Sequence, residues 1–148
     1  QASMSDALLD RVADADVAVA TTISSSGPFW GRPESPMFEP RKVNVAALAG
    51  SGAPIAFGSD NSGDRPVRVA LAAEIDSLLQ ASLTPQQVLA ALTVNGASYL
   101  GRSGELGTIE VGKRADLLLV EGDPLIDLDA LQNIVVVVKD GALIVDYR

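Results

Sequence analysis

Short apolar runs alternate with longer amphipathic stretches over the first two thirds of the chain. Residues 17–23 and 55–58 are apolar runs of strand length. Residues 67–82 carry apolar side chains at positions i, i+4 and i+8, which predicts a helix. A further helix is predicted to begin at the capping box Thr84-Pro85-Gln86-Gln87 and to continue to a stop at Gly101. Strands that alternate with helices in this way predict an α/β fold built from βα units.

The pattern changes after Gly101, where strand-like segments replace helical ones. Residues 115–120, 134–139 and 142–147 have the composition of strands, and Asp140-Gly141 is a hairpin-turn dipeptide. These segments predict a small β layer that is distinct from the βα units.

A long connection, residues 24–40, separates the first apolar run from the next helix. It contains Phe29, Trp30, Arg32 and Phe38 among several prolines and glycines. Loops of this length in a compact domain are often binding loops or lids. The alternative is that the rings only attach the loop to the body of the protein. Arg32 could hold a substrate carboxylate through two hydrogen bonds, or it could simply be solvated.

Composition narrows the possible functions. The formal net charge of −8 over 148 residues argues against nucleic acid as a partner, because phosphate contacts need a basic face. No apolar run approaches the roughly 18 residues of a membrane helix, and residues 1–4 lack the features of a signal peptide. We therefore expect no membrane partner and favour a cytoplasmic location. The chain has no cysteine and no histidine, so Ser24, Ser25 and Ser26 have no histidine to activate them as nucleophiles.

Asp60 is the candidate catalytic residue. It follows the apolar run 55–58 directly, and the carboxyl ends of parallel strands are where βα folds carry their functional groups. A carboxylate at that point can bind a cation and accept a proton from water. The alternative is a turn acid, since Asp-Asn-Ser-Gly is common turn chemistry.

Several segments together resemble one family. They are residues 58–60 (Gly-Ser-Asp), 83–89 (Leu-Thr-Pro-Gln-Gln-Val-Leu), 95–101 (Asn-Gly-Ala-Ser-Tyr-Leu-Gly) and 107–117 (Gly-Thr-Ile-Glu-Val-Gly-Lys-Arg-Ala-Asp-Leu). With them the chain resembles the C-terminal portion of the amidohydrolase superfamily, in its imidazolonepropionase- and prolidase-like branch of metal-dependent hydrolases.

The resemblance implies a fold and a site. Residues 1–106 would form the C-terminal βα units of a (β/α)₈ TIM barrel, and residues 107–148 the C-terminal strands of a small β-sandwich. Asp60 would be a metal ligand that also moves the proton of the hydrolytic water. The loop that carries Trp30 and Arg32, and the turn that begins at Asn61, would shape the pocket for a small-molecule substrate.

The missing histidines limit what this chain could do alone. The resemblance implies a divalent metal, zinc in one- or two-metal form, whose remaining ligands lie outside this chain, because imidazoles hold zinc in such centres. The first hypothesis is therefore a hydrolase of amide, cyclic amide or peptide-like C–N bonds that needs a histidine-bearing N-terminal portion or a complementing chain. The alternative is a non-catalytic structural or binding domain. Unpaired strand edges also favour a complementing chain or a homo-oligomer over a solitary domain.

Overall fold

The structure is a computed structural model that describes residues 3–15, 17–29, 34–61, 63 and 66–148. It contains a parallel pair of strands, an antiparallel sheet of three strands, five α-helices and two 3₁₀ turns within these residues. In chain order the elements are α1 (Asp6–Asp14), β1 (Val19–Ala20), the first 3₁₀ turn (Ile23–Ser26), α2 (Phe38–Gly50), β2 (Ile55–Ala56), α3 (Val67–Gln80), α4 (Pro85–Leu92), α5 (Val94–Tyr99), β3 (Leu117–Val120), the second 3₁₀ turn (Leu128–Gln132), β4 (Ile134–Lys139) and β5 (Ala142–Asp146).

Strands β1 and β2 form a parallel pair that is joined through helix α2. The Val19 amide donates to the Pro54 carbonyl at 2.8 Å, and the Thr21 amide donates to the Ala56 carbonyl at 3.2 Å. Both strands are shorter than the predicted runs 17–23 and 55–58. The first one ends early because the chain turns at Ile23, which is 1% exposed, into the first 3₁₀ turn.

The hydrophobic core lies between this strand pair and helices α2, α3 and α4. Its most buried large side chains include Ile23, Phe38, Leu78 and Val88. Helix α2 begins at Phe38, inside the predicted long connection, because the Phe38 ring is buried in the core. The Phe29 ring meets it edge-on, with 6.1 Å between the ring centroids and 80° between the planes. These two rings therefore attach the connection to the body, as the alternative interpretation expected.

Helix α3 buries the middle of its predicted apolar stripe: Ile75 and Leu78 are buried, and Leu71 packs against the core. Two other stripe residues are exposed, Val67 at 77% and Leu79 at 40%. The buried residues of α3 are Ala70, Ala73, Glu74, Ile75, Ser77 and Leu78. Small residues on this side allow a close approach to the first 3₁₀ turn, so the buried side extends beyond the stripe.

The helix predicted from Thr84 to Gly101 is two helices. Its start is as expected: the Thr84 amide donates to Gln87 Oε1 at 2.9 Å, and the Gln87 amide donates to Thr84 Oγ1 at 3.3 Å, which completes the capping box. Thr93, at φ −124° and ψ −94°, interrupts the helix between α4 and α5. The break allows the Asn95 side chain to donate to the Ile55 carbonyl at 2.9 Å.

The antiparallel sheet has the order β3-β4-β5 and follows the predicted strand positions closely. Asp140 and Gly141 have φ angles of 52° and 78°, as a hairpin turn of the primed type requires. Leu118 and Leu119 are adjacent, so their side chains point to opposite faces of the sheet, yet they are 50% and 53% exposed. Both faces of this sheet are therefore open in the described residues.

The observed architecture confirms a mixed α/β fold with a βαβ unit and a small antiparallel sheet. A complete barrel or sandwich needs more strands than the described residues supply. The division at residue 106 remains a prediction, and Leu128 from the second 3₁₀ turn joins the same core as the helices. In the described part of the chain, every helix falls short of the length and apolarity that crossing a bilayer requires.

Candidate active site at the strand ends

The carboxyl ends of β1 and β2 lie against each other at one edge of the parallel pair. A Cβ atom placed on Gly58 would lie 2.6 Å from the Thr21 carbonyl oxygen and 3.3 Å from Thr22 Cγ2. A distance below 3.0 Å is not tolerated between a real Cβ and backbone. Glycine at position 58 is therefore what allows the two strand ends to meet.

Asp60 lies two residues beyond this contact and is exposed to solvent. Its φ of 49° is in the left-handed region, which aspartate and asparagine adopt more readily than other residues with a side chain. No hydrogen bond or ion pair joins its carboxylate to another residue of the described part of the chain. An open carboxylate at the end of a parallel strand can accept a proton or bind a cation, so the geometry is compatible with either predicted role.

Asn61, predicted to contact substrate, is half-buried beside Asp60. Its Oδ1 accepts a hydrogen bond from the Gly63 amide at 3.4 Å, which is the pattern of an Asx turn. The side chain therefore shapes the turn after β2, and its contact with substrate stays a prediction.

Trp30 and Arg32, the other two predicted substrate contacts, lie outside the described residues. The chain on either side of them is held close to the first 3₁₀ turn. The Ser35 amide donates to the Ser26 carbonyl at 2.9 Å, and Phe29 packs on Phe38. The substrate roles of Trp30 and Arg32 stay predictions.

Glu74 is a site residue that the sequence interpretation missed. Its side chain is fully buried, at 0% exposure, in the middle of α3. Its Oε1 accepts from Thr21 Oγ1 and from the Ile23 amide, each at 3.1 Å, and its Oε2 accepts from the Ser24 amide at 2.8 Å. A signal was present in the sequence: Ala70, Glu74 and Leu78 are spaced by four, which places the acid within a stripe of otherwise apolar side chains.

The serines of the first 3₁₀ turn are structural in this arrangement. Ser26 Oγ donates to the Ile23 carbonyl at 2.8 Å, and Ser25 Oγ donates to the Thr22 carbonyl at 2.7 Å. Ser24 is 0% exposed, and its hydroxyl has no hydrogen-bond partner among the described residues.

The described residues do not provide a metal centre by themselves. The described residues contain no group of three side chains from His, Cys, Asp and Glu that could hold an ion, and the whole sequence lacks histidine and cysteine. Asp60 could contribute one oxygen ligand. A single carboxylate is a poor site for a transition metal, so a complete centre would need ligands from outside these residues.

The carboxyl groups with shifted pKa values lie in the C-terminal third of the chain, away from the carboxyl ends of β1 and β2. Hydrogen bonds from Arg148 lower the pKa of Asp146 to about 2. The hydrogen bond from Lys139, together with the Asp140 amide, lowers the pKa of Asp116. All of these groups are in exposed ion pairs on the antiparallel sheet, so their shifts reflect local structure and do not mark a reactive site.

A groove of about 200 Å³ lies elsewhere, between α3 and the second 3₁₀ turn. Leu71, Ile75 and Leu128 form its apolar floor, and Arg68 and Asp127 contribute to its walls. None of the residues at the strand ends lines this groove. It is therefore separate from the candidate site.

Comparison with known proteins gives consistent results. The sequence profile described as "Amidohydrolase family" matches residues 13–144. The chain is 32% identical over 143 residues to an imidazolonepropionase of Parabacteroides distasonis, covering 95% of this chain and 32% of that protein. It is 34% identical over 114 residues to an imidazolonepropionase of Shouchella clausii, covering 74% of this chain and 25% of that protein.

Solved structures show the same similarity in three dimensions. The crystal structure of an amidohydrolase matches with a TM-score of 0.78 and 27% identity, covering 97% of this chain and 38% of that one. A Xaa-Pro dipeptidase with bound methionine in its active site matches with a TM-score of 0.77 and 25% identity, covering 95% and 37%. The chain thus spans well under half the length of the proteins that it matches.

Proposed function

This chain belongs to the amidohydrolase family, matching the C-terminal portion of its members, and we propose that it contributes to a metal-dependent hydrolase of C–N bonds. The family resemblance seen in the sequence is thereby confirmed. The observation that carries the proposal is the position of Asp60, an exposed carboxylate just beyond the contact between Thr21 and Gly58. The proposed substrate is a small molecule with an amide, cyclic amide or peptide-like bond.

In this proposal Asp60 takes part in two successive proton transfers, first as a base and then as an acid. Its carboxylate accepts a proton from the water that attacks the carbonyl carbon, and it then donates that proton to the leaving nitrogen as the C–N bond breaks. A group that accepts and donates in this way needs access to both water and substrate, which the exposure of Asp60 supports. The turn at Asn61 and the loop with Trp30 and Arg32 would border the bound substrate.

A divalent metal, zinc in the simplest case, would supply activation of the attacking water and would be held by Asp60 together with histidines of an N-terminal portion, in the same or a separate chain. This chain offers one of the required ligands. No catalytic step can therefore be completed by the described residues alone.

Open strand surfaces support the need for further polypeptide. Both faces of the antiparallel sheet expose leucine side chains, as Leu118 and Leu119 show. The register of β1 on β2 also directs the peptide groups of Ala20 away from β2. We propose that a histidine-bearing N-terminal portion, in the same or a separate chain, covers these surfaces. A homo-oligomer would cover them without supplying histidine.

The test is a chimera in which this chain replaces the matching third of the Parabacteroides distasonis imidazolonepropionase. Cyclic amides and Xaa-Pro dipeptides are offered as substrates, with and without a chelator and added zinc. The decisive variant is Asp60→Asn, because asparagine also adopts the left-handed backbone that Asp60 occupies. We expect its kcat to fall by about 10²–10⁴-fold, the contribution of a positioned acid–base group.

Asp76→Asn is the matched control, since Asp76 is an exposed acid on α3 that bonds only to Gln80 among the described residues. It should leave kcat unchanged. An active chimera that tolerates Asp60→Asn as well as it tolerates Asp76→Asn would remove Asp60 from the mechanism.

The absence of histidine favours a second candidate, a non-catalytic structural or binding domain on an amidohydrolase scaffold. It predicts that the purified 148-residue chain binds no zinc and that the chimera hydrolyses none of the substrates, although it folds. Turnover by the zinc-loaded chimera distinguishes the two candidates.

A further inference from the structure

Glu74 is the most deeply buried charged side chain of the described residues, and the proposed chemistry does not use it directly. We propose that Glu74 is a positioning residue: its carboxylate fixes the turn that follows β1, and that turn fixes the end of β2 that leads to Asp60. The inference rests on the proposed function for its catalytic consequence. Its structural part can be tested independently.

Hydrogen bonds from the turn after β1 compensate for the burial of the Glu74 carboxylate. Removing a carboxylate from water is costly unless hydrogen bonds replace the lost hydration. Three donors within four residues provide them, namely Thr21 Oγ1 and the amides of Ile23 and Ser24. No ion pair to Glu74 exists in the described part of the chain, so these donors are its main partners. The turn and the carboxylate therefore hold each other in place.

Thr21 connects the turn after β1 to strand β2. Thr21 donates through its side chain to Glu74 and through its backbone amide to the Ala56 carbonyl, at 3.1 Å and 3.2 Å. Its carbonyl oxygen lies so close to Gly58 that a Cβ there would be only 2.6 Å away. A movement of the Thr21 carbonyl towards Gly58 would therefore displace Gly58, two residues before Asp60.

The alternative is that Glu74 merely stabilises the core, as any well-bonded buried group does. The two interpretations differ in which residues respond when Glu74 is changed. Ser77 provides the matched comparison, because it is also 0% exposed on α3 but bonds only within its own helix, to the Ala73 carbonyl at 2.7 Å. Loss of the Ser77 bond should disturb the helix without moving the strand ends.

The experiment is amide hydrogen exchange and chemical-shift mapping by NMR on the 148-residue chain, comparing Glu74→Gln with Ser77→Ala. Glutamine keeps the shape but replaces one acceptor oxygen by an amide group, so it cannot accept from both sides. We expect the amide that loses its acceptor, either Ile23 or Ser24, to exchange about tenfold faster or more, relative to the core amide of Leu78, as for a lost hydrogen bond to a charged group. The amide resonances of Gly58 should shift as well.

Ser77→Ala should change neither the Ile23 and Ser24 exchange ratio nor the Gly58 resonance. Equal behaviour of the two variants at these three amides would overturn the inference. If Glu74→Gln does not fold, Thr21→Val decides the matter, because it removes only one of the three donors. It should shift Gly58 and accelerate Ile23, whereas a uniform acceleration over the whole chain would count against a positioning role.

The catalytic consequence is measured in the chimera. Glu74→Gln should lower kcat about tenfold or more while KM changes by less than about twofold, since only the placement of the reacting groups is affected. An unchanged kcat in an active chimera would contradict the inference. A chimera that is inactive with Glu74 intact would refute the proposed function instead, and the NMR result would still decide the structural part.

Discussion

Gly58→Ala tests the close approach of the two strand ends, on which the geometry of the candidate site depends. The new methyl carbon would lie 2.6 Å from the Thr21 carbonyl oxygen, and an ordinary contact begins at 3.4 Å, so the atoms must separate by about 0.8 Å. The obstacle is backbone and cannot rotate away. Thr21 is further restrained by its hydrogen bonds to Ala56 and Glu74.

The expected cost follows from two opposing effects. Forcing an extra carbon into a packed site costs about 1–3 kcal/mol. Replacing glycine by alanine also reduces the freedom of the unfolded chain, which stabilises by about 0.4–1 kcal/mol where the backbone is compatible. We therefore expect Gly58→Ala to lower the free energy of unfolding by about 1–2 kcal/mol.

Gly50→Ala is the matched control. Gly50 is the last residue of helix α2, and a Cβ added there would have no neighbour within 4 Å. It should leave the stability unchanged or raise it by up to about 1 kcal/mol. Urea unfolding followed by far-ultraviolet circular dichroism gives both values. If the two variants have equal midpoints and equal slopes, the strand ends do not approach as closely as described.

Three further predictions concern single elements. Thr84→Ala removes half of the capping box and should lower the free energy of unfolding by about 0.5–2 kcal/mol; an unchanged urea midpoint would show that the box is dispensable. Leu78→Ala should lower the free energy of unfolding by about 2–5 kcal/mol because Leu78 is fully buried. Leu79→Ala should lower it much less. A larger loss for Leu79→Ala than for Leu78→Ala would mean that α3 presents its other face to the core. Hydrogen bonds from the side chain and the backbone amide of Arg148 lower the pKa of Asp146 to about 2. In Arg148→Gln the amide bond remains, so this pKa should rise towards, without reaching, the ordinary value of about 3.9 when followed by carboxyl ¹³C NMR. Since the folded pKa lies below the unfolded one, its stabilising contribution is present above about pH 4 and is lost as the pH falls towards 2. A pKa that stays near 2 in the variant would exclude the Arg148 side chain as the main cause.

Features that depend on local chemistry could be predicted from the sequence. The capping box at Thr84 and the hairpin turn at Asp140 need only neighbouring residues, and both are present in the structure. The position of Asp60 after β2 could be predicted for the same reason, because a strand and its following turn are adjacent in sequence.

Features that depend on distant contacts could not be predicted in this way. The break at Thr93 accompanies a hydrogen bond from Asn95 to Ile55, forty residues away. The buried side of α3 is decided by the turn after β1, whose amides bind Glu74 fifty residues further on. An acid in an amphipathic helix is normally assigned to solvent. The spacing of Glu74 with Ala70 and Leu78 hints at its burial, but only the fold shows which amides satisfy its carboxylate.

The outer edges of strands β1 and β2 differ in the hydrogen bonds that their backbone groups already make. On the outer side of β2, the Phe57 amide already donates to the Ala91 carbonyl at 3.1 Å and the Ile55 carbonyl already accepts from Asn95. An incoming strand would have to displace these bonds there, but on the outer side of β1 it would meet no such competitor among the described residues. Enlargement of the sheet by another polypeptide should therefore be directional, beginning next to β1 and reaching β2 last.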